Sequence, residues 1–255
     1  MLLPISELYR YWLLRPEGVV HVGAHLAEES EAYIKFGFGP VVWVEAQKSL
    51  ADHLAKSLKP GDSVVCALVW SEEGIKKSFN LTSNSQSSSV FDFGTHQKDH
   101  PDVTLTDRIE LVTSTLHNVL PRDCSADMLV LDIQGAEYQA IVGLADRITD
   151  FKWIYCEVNR AQVYVGIEQV GALDSLLSSH GFVRLATVWT FANWGDALYA
   201  RVDWAEHAYG GKLFMRARIV GFELITSIRS SYLYKGLKEL WKILRTSRSK
   251  SQSQR

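Results

Sequence analysis

Short runs rich in Val, Ile and Leu recur along the chain as VVHVGAH (19–25), VVWVEA (41–46), SVVCALVW (63–70), MLVLDIQ (128–134) and WIYCEVN (153–159). Apolar runs of this length without polar alternation read as strands covered on both faces. Between them lie stretches with apolar residues at helical spacing, 28–36, 49–58, 137–148 and 168–180, of a length suited to crossover helices. Strand and helix therefore alternate. Because crossovers between parallel strands are right-handed, the pattern predicts an α/β three-layer sandwich with helices on both faces of a mostly parallel sheet. Two further strands, FVRLATVWTF (182–191) and DALYARV (196–202), are separated only by residues 192–195. That gap admits a hairpin but no helix, so a seven-stranded sheet ending in an antiparallel pair is expected.

Two regions break the alternation. In 77–120 Ser, Thr, Asn and His interrupt every candidate helix, which predicts a partly extended insertion near the sheet's functional edge. In 231–250, Leu233, Leu237, Leu240, Trp241 and Leu244 follow helical spacing while Lys235, Lys238, Lys242 and Arg245 fall largely elsewhere around the axis, a basic amphipathic helix. Its apolar stripe packs on the domain or on a second subunit, or else docks on an anionic membrane surface. The expected organisation is an N-terminal helical segment (1–18), the sheet domain (19–205), a basic helical appendage (206–246) and a disordered tail (247–255).

Composition, with 47% hydrophobic and 22% charged residues, is that of a globular chain. The net charge of −2 conceals an asymmetry: residues 216–255 carry ten Lys or Arg against two acids, leaving −10 for residues 1–215. So acidic a body argues against a nucleic-acid partner, which demands clustered cations. Cys66, Cys124 and Cys156 share no metal-ligand spacing, and Cys66 and Cys156 lie in apolar runs, where a thiol acts as a small hydrophobe. A reducing, cytoplasmic setting is expected, with membrane contact only through the basic helix.

Candidate chemistry collects at the ends of the apolar runs. Gly23 and Ala24 end the first one, where a sharp turn and a small side chain make room for a ligand, although a glycine after a strand is also an ordinary turn. Glu45 ends the second, about twenty residues on, where doubly wound folds place a carboxylate to accept the hydroxyls of a ribose. Gly23, His25 and Ala27 stand where a dinucleotide fingerprint has three glycines, so a pyrophosphate would have poor backbone access and the NAD(P)-dependent oxidoreductase alternative is demoted. S-adenosylmethionine carries a ribose but no phosphate. Asp132 ends the fourth run, followed by Gln134, Gly135 and Glu137, the last also a candidate helix cap; Glu157 and Asn159 end the fifth.

The segments VGAH, FGFGPVVWVEAQ, SSSVF, LDIQGAEYQAI and YCEVN together resemble the FkbM-type methyltransferase family over roughly residues 19–202. The resemblance implies a class I, Rossmann-like methyltransferase fold and O-methylation of a hydroxyl on a glycan or glycosylated metabolite. It also implies S-adenosylmethionine at Gly23, Ala24, His25, Glu45, Ala46, Ala67 and Asp132, and an acceptor near Ser88, Ser89 and Asn159. His21 occupies the place of the family's usual first-strand acid. Asp132 and Glu157 are the catalytic candidates, either with Mg2+ held by Asp132, Glu157 and Asn159 or as unassisted bases, with His25 and His96 as further base candidates. Trp189, Phe191 and Trp194 either stack on a sugar or belong to the core. A homo-oligomer and a non-catalytic scaffold with a degenerate cofactor site remain open.

Overall fold

The computed structural model describes residues 1–227, and the basic helix and disordered tail expected beyond them lie outside the described residues. Two compact units are present, residues 1–208 and residues from 209 onward. In the second, the chain is helical over 212–227. None of the helices described is long and apolar enough to cross a membrane.

The first unit opens with α1 (Ile5–Arg10), then β1 (Val19–Val22), α2 (Ser30–Phe36), β2 (Val41–Glu45), α3 (Lys48–Leu54) and β3 (Ser63–Cys66). An insertion follows, made of β4 (Leu68–Val69), β5 (Lys76–Thr82), α4 (His96–Asp99), β6 (Leu105–Ser114) and α5 (Leu116–Val119). The sheet resumes with β7 (Met128–Leu131), α6 (Glu137–Val142), β8 (Trp153–Asn159), α7 (Val170–Ser179), β9 (Phe182–Trp189), β10 (Trp194–Arg201) and α8 (Val202–Ala208). The main sheet has seven strands in the order β3-β2-β1-β7-β8-β10-β9. Neighbours from β3 to β8 pair in parallel, whereas β10 is antiparallel to both β8 and β9. Every residue of β1, β7 and β8 is buried, which a sheet covered on both faces requires. Val20, Leu129, Leu131, Ile154 and Leu177 belong to one continuous core.

Three sequence expectations need correction. The run 63–70 is not one strand: it stays in the main sheet to Cys66, then leaves it so that Leu68 and Val69 pair in parallel with Thr113 and Ser114 of β6. The insertion is accordingly a second sheet, β4-β6-β5, and more regular than its polar sequence suggests. The three cysteines are free, but only Cys156 is buried; Cys66 is exposed at the end of β3, not a small hydrophobe in the core.

Candidate functional site

Because β1, β2, β7 and β8 are parallel, their carboxyl ends share one edge of the sheet, and the antiparallel β10 brings its amino end to the same edge. The chain leaves β1 at Gly23 with φ +84, a left-handed conformation that favours glycine. Space demands glycine as well: a β-carbon at Gly23 would lie 1.9 Å from the Asp132 carbonyl oxygen. The close crossing follows from the pairing, since the Asp132 N–H donates to Val22 O and the Gly23 N–H to Val44 O, drawing the ends of β7, β1 and β2 together.

Glu45 is buried at this crossing. One carboxylate oxygen accepts the His25 N–H at 2.9 Å and the other the Gln47 N–H at 2.8 Å. Burial pushes its carboxyl up and the two backbone donors oppose the rise. Above it opens a cleft of about 580 Å³ whose wall includes Gly23, His25, Glu45, Ala46, Ala67 and Asp132. Ala24, expected among them, is buried behind the loop and is not part of the wall. The floor is apolar, with Val44, Leu68, Val69 and Phe79, of which the last three come from the insertion.

A second, more polar cavity of about 1080 Å³ adjoins the cleft, and Gly23, His25, Gln86, Asp132 and Gln134 line both. Its carboxyls include the exposed Asp132 and the buried Glu157. The Gln134 side chain joins them: Nε2 donates to Asp132 Oδ1 at 2.8 Å and to Glu157 Oε2 at 3.1 Å, while Oε1 accepts the Tyr164 hydroxyl at 2.6 Å. Burial, followed by the Asp132, Glu137 and Asp196 carboxyls, pushes Glu157 well above the usual carboxylate range. Glu137 is buried too and accepts the N–H groups of Ile133 and Gly135, which fixes the turn ahead of α6; burial lifts it to about 7. On β1, His21 stacks near Trp43 and shares a hydrogen bond of 3.0 Å with the Tyr33 hydroxyl, and burial lowers its pKa to about 4. At neutral pH this imidazole is uncharged.

Several expected acceptor-side residues stand elsewhere. Ser88 lines the first cleft, where its hydroxyl accepts the Thr82 N–H. Ser89 lines neither cavity: its hydroxyl donates to the Gln134 carbonyl at 2.8 Å and accepts the Phe91 N–H. Asn159 donates to Glu157 Oε1 at 3.4 Å and lines a separate small cavity beside α7. Asn159 lines neither the cleft nor the polar cavity, and among the described residues no three His, Cys, Asp or Glu gather as a ligand set, so nothing supports the Mg2+ expected at Asp132, Glu157 and Asn159. The three aromatics part ways: Trp189 packs on the core, Phe191 is 87% exposed and Trp194 lines the polar cavity, as does His96. Sequence reasoning missed Gln134, Tyr164 and Asp196 as site residues. Only Gln134 carried a signal, its place in LDIQGAE.

The methyltransferase FkbM domain family matches residues 21–184 of this chain, more than half of it. No curated protein sequence matches. Among solved structures, the chain is similar to ribosomal protein L11 methylase from Lactobacillus delbrueckii subsp. bulgaricus, with 11% identity, TM-score 0.42, and 78% of this chain and 77% of that one covered. It is also similar to 1,6-didemethyltoxoflavin-N1-methyltransferase from Burkholderia thailandensis, with 12% identity, TM-score 0.45 and coverages of 78% and 77%. A third is N-methyltransferase NodS from Bradyrhizobium japonicum WM9, with 7% identity, TM-score 0.43 and coverages of 77% and 83%.

Proposed function

Because this chain belongs to the methyltransferase FkbM domain family, we propose that it uses S-adenosylmethionine to methylate a hydroxyl of a glycan or glycosylated small metabolite. The observation that carries the reading is Glu45, buried at the crossing of β1 and β2 beneath the apolar cleft. An ionised carboxylate has about four acceptor sites, and backbone donors take two of them here, so two are left for the neighbouring hydroxyls of a ribose. The Val44, Leu68, Val69 and Phe79 walls suit a flat, weakly polar base, and the bare backbone at Gly23 leaves room for the chain joined to the sugar.

S-adenosylmethionine, when bound, supplies an electrophilic methyl on a sulfonium that leaves as a neutral thioether. An acceptor hydroxyl taking that methyl would have to lose its proton to a base on the protein. Asp132 stands at the junction of the two cavities and is the residue we assign to that role, with the Gln134 amide fixing one of its oxygens. Glu157, pushed up by burial, accepts the Gln134 and Asn159 amides and so helps to hold Gln134 beside Asp132. No carboxylate ionises an alcohol in advance, so proton removal accompanies transfer and alignment contributes most.

The test is a thermal shift series. S-adenosylhomocysteine is expected to raise the melting temperature through ligand linkage, and NAD is not. A shift with NAD alone would move the chain to the oxidoreductases, and no shift with either would favour a scaffold. A labelled methyl donor with glycan fractions then reads whether oxygen on a sugar is the acceptor.

A further inference from the structure

The helix over 212–227 is apolar on two opposite sides. One side is already covered, since Met215 and Phe222 are buried. On the other, Leu213, Ala217, Val220 and Leu224 follow one another at spacings of four, three and four residues, and all are exposed, Leu213 to 77% and Leu224 to 60%. That spacing is the seam of a two-helix coiled coil, and a helix with a second apolar face has a second contact to make. Single exposed apolar residues need no partner, whereas a contiguous stripe marks a contact surface.

The edges of the stripe identify the contact. Arg216 and Glu223 each stand one position before a seam residue, so they share one edge, and both are exposed. Seven residues apart, they lie about 10 Å from each other along the axis, too far to pair within the helix. A second copy running antiparallel supplies each with its opposite. With Ala217 against the partner's Val220 and Leu213 against the partner's Leu224, Arg216 comes beside the partner's Glu223, and the two-fold axis makes that contact twice. On the other edge Phe214 falls over the partner's Gly221, where no side chain obstructs the ring. A parallel pair would set Arg216 against Gly221 and lose both charge pairs, so the charges select the antiparallel arrangement.

We propose that the helix over 212–227 is a dimerisation surface that pairs antiparallel with the same helix of a second copy of this chain. Leu213, Ala217, Val220 and Leu224 form the centre of the contact, and two reciprocal Arg216–Glu223 pairs fix its register and direction.

Sedimentation of the full chain in lipid-free buffer, from about 1 to 100 μM, tests the pairing. A reversible monomer–dimer equilibrium is expected. A monomer throughout, the result if residues beyond 227 or a lipid surface cover the stripe, would overturn the inference. Arg216→Glu and Glu223→Arg each set two like-charge pairs across the axis and are expected to weaken the dimer about tenfold or more. Carried together they restore opposite charges, and the dissociation constant should return to within about threefold of the original. Val220→Glu places a charge in the seam and is expected to leave a monomer. All three positions are exposed, so the variants should fold, which their thermal melting checks. A dimer indifferent to the single reversals, or one that the double reversal fails to restore, would also overturn the inference.

Discussion

Gln134 holds a left-handed backbone conformation, φ +55, that costs a side-chain-bearing residue roughly 1–2 kcal/mol. The conformation is held in place by the hydrogen bonds that its amide makes to Asp132, Glu157 and Tyr164, and by the Ser89 hydroxyl on its carbonyl. With Asp132 so fixed, Asp132→Asn is expected to lower kcat by about 10²–10⁴-fold, the usual worth of a general base, while leaving the S-adenosylhomocysteine thermal shift in place. Loss of that shift together with activity would make Asp132 a cofactor ligand before a base. Glu137 gives a separate prediction in pH. Its folded pKa, about 7, exceeds the ordinary 4.5, so between these values the folded state binds more protons than the unfolded, and stability falls as pH rises through the window. The difference corresponds to about 3 kcal/mol. Glu157 slopes the same way, whereas His21, lowered to about 4, takes stability away as pH falls below 6.5. Denaturant midpoints should therefore decline from pH 6.5 to 8, and Glu137→Gln, which keeps an acceptor for the Ile133 and Gly135 N–H groups, should flatten the decline. At this scale, Glu45 and Asp132 were legible because they follow apolar runs directly. Tyr164 and Asp196 were not, because contacts to residues 30 or 41 positions away define their roles.

Among elements, the main sheet was readable and the insertion was not. Strands β1, β2, β7 and β8 are buried on both faces, so their sequences are continuously apolar and their positions follow from burial alone. The ten residues of β6 are mostly exposed and polar, and the run from Ser63 to Trp70 gives no sign that the chain changes sheets at Ala67, since both halves are equally apolar. Helix starts slipped for a local reason: α2 begins at Ser30, not Glu28, because the chain first passes through a turn in which His25 (φ +45) and Ala27 (φ +57) hold left-handed backbone. The insertion is tied to the β7–α6 turn by Ser89, which is 1% exposed. Ser89→Ala would leave the Phe91 N–H without its acceptor and free the Gln134 carbonyl. It should destabilise the protein by about 1–3 kcal/mol, read by urea denaturation, and lower kcat through Gln134 even though the serine lines neither cavity. An unchanged kcat would mean that Gln134 keeps its place without this tie.

For the whole molecule, the division of charge follows the division into units. All the described residues lining the two cavities belong to the unit ending at Ala208, and the family match ends at Arg184 within β9. The cations concentrate after residue 215, while residues 1–215 carry −10. An anionic membrane would repel the acidic part and attract only the basic end, so we propose that the region after Arg229 recruits the enzyme to such a surface. Each Lys or Arg close to an anionic leaflet contributes about 1 kcal/mol, an attraction that weakens as salt shortens the Debye length. The full chain should therefore float with phosphatidylserine vesicles at low salt and progressively less as salt rises, and a chain ending at Arg229 should not float at all. Because the described residues lining the cavities all belong to the first unit, that shorter chain should keep its thermal response to S-adenosylhomocysteine. Equal flotation of the two chains would assign the apolar stripe of Leu233, Leu237, Leu240 and Leu244 to packing against protein, and the basic residues beside it to solvent.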